Sequence, residues 1–182
     1  GMATVMVTGG SESMLCFGGV KAWEGLRVMS KDACRPFSAN RNGMVQGEGA
    51  GVFVFEEYEH ARARGAEILV EVIGFSMTSD AADIVMPSKQ GAARAISGAM
   101  RDAKISPDQV GYINAHGTST PVGDVAEMGA VRATFGADIP AISSTKSLSG
   151  HSLGAAGVQE AIYSLLMRQY GIMAGTANLA NM

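Results

Sequence analysis

The second half of the chain alternates short apolar runs with helical patterns, and that alternation limits the possible folds more than any other feature. A long apolar strand is predicted from Ile68 to Phe75, followed by a polar loop, Ser76 to Pro87. A helix from about Lys89 to Ala103 comes next, then a strand over Val110–Ala115 and a helix from about Asp124 to Phe135. A short strand, Ala141–Ser143, leads through a polar loop to a last helix over about residues 153–170. Strands alternating with helices of this length bury a parallel or mixed sheet under a helical cover, an α/β arrangement.

The first half is less regular. Thr4–Thr8 reads as a buried strand stopped by Gly9-Gly10, and residues 11–31 as loop with a helical turn or two. Asn42-Gly43 is a turn signal, Val52–Phe55 a strand, and Glu56–Gly65 a short charged helix with Gly65 at its C-terminal cap. Gly47-Glu48-Gly49-Ala50-Gly51 has the look of a phosphate loop, but it leads into a strand rather than a helix, so close backbone packing is its reading. At 182 residues the chain suffices for one good-sized core, or one and a half lobes of something larger. It stops at Asn178–Met182, where another strand is expected, and Gly1-Met2-Ala3 reads as a tag scar or an arbitrary cut.

Seventeen acidic against fourteen basic residues, a net charge of −3, argue against nucleic acid or an anionic membrane as the main partner. No apolar run is long enough to span a bilayer and no signal-peptide pattern is found. Cys16 and Cys34 lack zinc or redox spacing and read as packed thiols. The simplest reading is a cytoplasmic enzyme.

Two loops carry the candidate chemistry. His116-Gly117-Thr118-Ser119-Thr120-Pro121-Val122-Gly123-Asp124 leaves the end of a predicted strand, where ligands gather in α/β folds. Asp124 is expected to cap the following helix, with Glu127 closing a capping box. Ser143 to Gly157 places Lys146 and His151 among small and hydroxyl side chains before a helix. Two imidazoles and a lysine at such positions suit stabilisation of an enolate oxygen. Two histidines without helical spacing do not make a zinc site. Gly150-His151-Ser152-Leu153-Gly154 fits the nucleophile elbow of an α/β-hydrolase, yet no strand abuts it and neither His nor Asp follows Ser152.

These two loops closely resemble the two C-terminal active-site motifs of β-ketoacyl-acyl carrier protein synthases. Arg35 to Gly51 and Glu56 to Gly65 resemble further segments of the same family, so the likeness covers nearly the whole chain in order. It is closest to the elongating enzymes, types I and II, rather than the initiating enzyme, which has Asn where this chain has its second His. The resemblance implies a thiolase-like fold of α-β-α-β-α layers, here incomplete. Residues 1–66 would end the N-terminal lobe, and 67–182 would form a C-terminal lobe lacking its last strands.

It also implies a decarboxylative condensation of malonyl-acyl carrier protein with an acyl thioester, as a 3-oxoacyl-[acyl-carrier-protein] synthase of fatty acid elongation. His116 and His151 would stabilise the thioester oxygen, Lys146 would support them electrostatically, and Glu127 would pair with Lys146. Thr118 and Thr120 would hydrogen-bond the phosphopantetheine arm. Asn114 and Glu160 match positions that line a structural monovalent-cation site in some relatives, and no catalytic metal or cofactor is implied. The expected partners are acyl carrier protein and, in full-length relatives, a second copy of the chain. The family's nucleophilic Cys lies upstream of anything present, so the chain alone is expected not to catalyse condensation. Three other readings stand beside this one: a polyketide ketosynthase domain, a non-catalytic homologue that binds carrier protein, and a hydrolase using Ser152.

Overall fold

The computed structural model describes residues 3–181; Gly1, Met2 and Met182, on which the reading of the chain ends partly rests, lie outside the described residues. Two small sheets organise the chain. Strands β1 (Val5–Glu12) and β2 (Gly49–Glu56) form an antiparallel ladder from Val5 opposite Glu56 to Glu12 opposite Gly49. Strands β3 (Tyr112–Asn114) and β4 (Ala141–Ser143) run parallel, with Asn114 opposite Ser143.

β1 does not stop at Gly9-Gly10 as expected. It continues because both glycines serve close approach rather than a turn: a Cβ on Gly9 would lie 2.1 Å from Gly51 O, and one on Gly10 2.2 Å from Gly154 O. The phosphate-like glycine run is close packing, as read from sequence. Gly51 leaves room on β2 for Val158 and Ile162 of helix α6 (Ala156–Tyr170). β1 is not a buried strand either, since Val5 and Val7 are exposed.

The short helix α1 (Phe17–Gly25) lies between these two strands in sequence, and α2 (Tyr58–Ala63) follows β2. Glu57 caps α2 by accepting the His60 N–H at 2.9 Å. Helix α3 (Lys89–Ala103) matches its predicted span; the Ser88 hydroxyl accepts the Gly91 N–H at its start, and Lys104 closes it in the left-handed region. α3 packs on α4 (Gly123–Phe135), whose Ala130, Val131 and Phe135 are buried. The expected helix over 153–170 starts with one 3₁₀ turn, Leu153–Ala155, before α6 proper, and ends at Gly171 in the left-handed region.

Three further expectations fail. Ile68–Phe75 forms no strand, because neither of its edges pairs with another strand among the described residues. The segment lies beside α3 instead, with the Phe75 N–H donated to Asp102 and Arg168 donating to Leu69 O. The Asp124 capping box does not form, since Asp124 sits inside α4 and its carboxylate faces other segments. Cys16 is exposed rather than packed, while Cys34 is buried as expected.

Candidate active site

The parallel β3–β4 pair explains why two loops thirty residues apart in sequence meet. Its register brings Ala115 and Ser144 to the same carboxyl end, where the Ala115 N–H donates to Ser143 O at 2.9 Å. Beyond it, the Ser144 hydroxyl donates to Gly117 O at 2.7 Å. This contact needs glycine, because a Cβ at 117 would lie 2.6 Å from the Ser144 side chain, and its φ is +34°. His116 and His151 thereby face each other edge to face, with ring centroids 5.0 Å apart.

Glu127, one turn into α4, clamps the His116 loop. Its two carboxylate oxygens accept the N–H groups of His116 and Gly117, both at 2.7 Å. This corrects its expected role. Lys146 does not pair with Glu127; its ammonium donates to Glu160 on α6, the position singled out for a cation site. Glu127 is committed to backbone donors, and the first turn of helix α5 (Lys146–Ser149) leaves Lys146 only 1% exposed, within reach of Glu160. Burial pushes the carboxyls of both Glu127 and Glu160 above the ordinary glutamate range, against the pull of the backbone N–H donors in one case and of Lys146 in both.

Both imidazoles are held neutral. Their enclosed surroundings push the His116 pKa down to about 3 and that of His151 to about 4, and the Lys146 ammonium pushes in the same direction. His116 keeps an exposed surface towards the cavity described below, but the protein packed around it dominates its titration. For His151 the tautomer is fixed as well. Its Nδ1 accepts the Leu153 N–H at 3.2 Å, which leaves the ring proton on Nε2.

A cavity of about 500 Å³ opens onto both rings, with Trp23, Met44, Thr118 and Thr120 in its wall. The Thr118 and Thr120 hydroxyls lie 3.2 Å apart. Sequence reasoning missed the tie that holds this threonine loop. Buried Asp124 accepts the N–H of Phe37 at 2.8 Å and of Ser119 at 3.1 Å, while Arg41 donates to Thr120 O and Pro121 O. Both residues stand in the quoted motifs, but apart from Ser119, five positions before Asp124, the partners are 79 to 87 positions away, which no local pattern reveals.

Ser152 is 1% exposed and its hydroxyl donates to the Gln159 side chain, so it is a packing residue and no nucleophile. Asn114 donates to Glu160 O and Ser164 Oγ, and its buried Oδ1 has no partner among the described residues. Lys146 thus occupies one oxygen of the Glu160 carboxylate, and the unpartnered oxygen at the expected cation position is that of Asn114. Among the described residues no cluster of three or more His, Cys, Asp or Glu has metal-binding geometry, and no helix is long and apolar enough to cross a membrane.

The chain matches known proteins along nearly its whole length. Residues 1–61 match the family described as "Beta-ketoacyl synthase, N-terminal domain", and residues 69–180 match "Beta-ketoacyl synthase, C-terminal domain". The chain is 49% identical over 180 residues to nodulation protein E of Rhizobium leguminosarum bv. trifolii. It is 46% identical over 186 residues to 3-oxoacyl-[acyl-carrier-protein] synthase 1 of Escherichia coli strain K12. Each alignment takes in 98% of this chain but 45% of the relative, so the chain spans about half the length of the curated proteins it matches. A crystal structure of a β-ketoacyl synthase from Burkholderia phymatum STM815 superposes with a TM-score of 0.95 at 44% identity, covering 100% of this chain and 45% of that one. The α/β architecture is thus that of the ketosynthases.

Proposed function

The chain belongs to the β-ketoacyl synthase family, and on that premise we propose that it carries the enolate-stabilising half of a 3-oxoacyl-[acyl-carrier-protein] synthase of fatty acid elongation. One observation carries the reading: two neutral imidazoles, one with its proton fixed on Nε2, stand edge to face at the wall of a cavity large enough for a thioester. Loss of CO2 from a malonyl thioester leaves an enolate whose oxygen gains negative charge. Neutral N–H donors already aimed at that oxygen stabilise it without reorganising. Burial keeps both rings unprotonated, Lys146, held by Glu160, adds to that in the same direction, and Glu127 holds His116 in place through its backbone.

Thr118 and Thr120 are the candidates for hydrogen-bonding the phosphopantetheine arm. Acyl carrier protein would deliver it, so the chain needs no cofactor of its own. The whole protein would be a cytoplasmic acyltransferase that works as a homodimer and takes its nucleophilic Cys from sequence upstream of that present.

The test separates decarboxylation from condensation. Incubated with malonyl-pantetheine, the chain is expected to release CO2 and form acetyl-pantetheine, the enolate taking a proton. His116→Ala and His151→Ala are each expected to slow this by about 10²- to 10³-fold, the usual effect of losing one oxyanion donor. Acyl-carrier-protein thioesters are expected to leave its intact mass unchanged and to give no condensation product. CO2 release at the uncatalysed rate, or acylation of Cys16, Cys34 or Ser152, would refute the proposal.

A further inference from the structure

The loop that carries the two threonines is held by a stretch of chain far from it in sequence. The carbonyls of Thr118, Ser119 and Thr120 are all taken by donors from residues 34–43. The Cys34 thiol donates to Thr118 O at 3.8 Å, the Gly43 N–H to Ser119 O at 3.0 Å and Arg41 Nε to Thr120 O at 3.1 Å. Ser119 stands at the centre of this contact. It is 0% exposed, its hydroxyl accepts the Arg35 N–H at 2.9 Å, and its own N–H is donated to Asp124 at 3.1 Å. Its φ is +72°, in the left-handed region that a residue with a side chain keeps only where its surroundings over-determine it. Here they do, since its N–H, carbonyl and hydroxyl oxygen each have a partner. The residues on either side face the other way. Thr118 and Thr120 line the cavity with their hydroxyls 3.2 Å apart, whereas Ser119 turns from it towards Arg35.

We propose that Ser119 is a positioning residue for the reaction: its clamped, left-handed backbone fixes the spacing and direction of the two threonine hydroxyls that hold the amide-bearing arm of the thioester. The inference rests on the reading of Thr118 and Thr120 as arm-binding residues. A loop free to relax around Ser119 does not keep both hydroxyls at one cavity wall, and the arm loses a preformed hydrogen-bonding pair. The thioester end is held separately, because Glu127 fixes the His116 and Gly117 N–H groups.

The test compares the decarboxylation of two substrates, malonyl-pantetheine and the S-ethyl thioester of malonate, which keeps the thioester but has no amide arm. In Ser119→Ala the KM for malonyl-pantetheine is expected to rise about tenfold with kcat within about twofold of the parent, while kcat/KM for the S-ethyl thioester stays within about twofold. Ser119→Gly loses the same hydroxyl but accepts the positive φ. It is therefore expected to be no less stable in urea than Ser119→Ala and yet to show a KM for malonyl-pantetheine at least as high. Equal losses on both substrates, or KM values that follow the stabilities of the two variants, would overturn the positioning role alone. Thr118→Val/Thr120→Val is expected to raise KM for malonyl-pantetheine and not for the S-ethyl thioester. If it does not, the arm-binding reading falls and the role of Ser119 with it.

Discussion

Replacing Lys146 with Met tests the electrostatic core of the site. Lys146 is 1% exposed and Glu160 keeps 18% of its side-chain surface, so removing the ammonium strands a carboxylate that water reaches only in part. Breaking a buried pair from one side costs about 3–5 kcal/mol, and the residual exposure of Glu160 puts the expected loss near ~3 kcal/mol. In the double variant Lys146→Met/Glu160→Gln no charge is stranded, and stability is expected to return to within about 1 kcal/mol of the parent. Urea unfolding at neutral pH, read by circular dichroism with a common slope, measures both. The same variants carry a second readout. Without the ammonium the pKa values of His116 and His151 rise, yet both stay below the ordinary imidazole value because desolvation is the larger cause. A single variant as stable as the parent, or a double variant as unstable as the single, would refute the account of Lys146 as a charge held by Glu160.

Three further outcomes follow from the geometry. The imidazoles titrate near pH 3 and 4 in the folded chain and near 6.5 when unfolded, so below about pH 6.5 the unfolded state binds more protons. Their contribution to stability is therefore lost as pH falls through that window, while the raised carboxyls of Glu127 and Glu160 act in the opposite sense. Stability is expected to fall less between about pH 7 and pH 5 in the His116→Ala/His151→Ala variant than in the parent; parallel pH profiles would show that the rings are not depressed. Gly10→Ala forces a Cβ to within 2.2 Å of Gly154 O and is expected to cost about 2–3 kcal/mol or more. Gly18→Ala, in helix α1 with nothing within 4 Å, is expected to gain a few tenths to 1 kcal/mol in the same urea unfolding.

What the sequence disclosed depended on range. α3, α4 and β4 were legible because their patterns are local, and both histidine loops were visible because each leaves a strand. The pairing of Lys146 with Glu160 was not, since it depends on which face of α6 turns towards the loop, and Glu127 is the nearer match by motif. Asp124 looked like a cap because a cap is the commonest use of Asp at that position; Phe37 and Ser119 claim its carboxylate instead. Ile68–Phe75 has the composition of a strand, but a strand exists only with a partner at its edge, and composition does not supply one. Ser119 gave no signal of its own, because a serine in the left-handed region is recognisable only once the groups that hold it there are known.

The hold of residues 34–43 on the threonine loop also bears on how such chains can be recombined. The regions matching the two family domains meet between residues 61 and 69, an obvious place to splice halves from different relatives. Yet a Cβ at Gly47 would sit 2.2 Å from Ser149 O, Gly10 presses on Gly154, and Gly51 on Val158 and Ile162. Phe37 and Asp124 are likewise joined across the same boundary. A chimera spliced there inherits one side of every such contact from each parent. Its viability is set by the match at these few glycines and backbone donors, not by the linker where the cut is made.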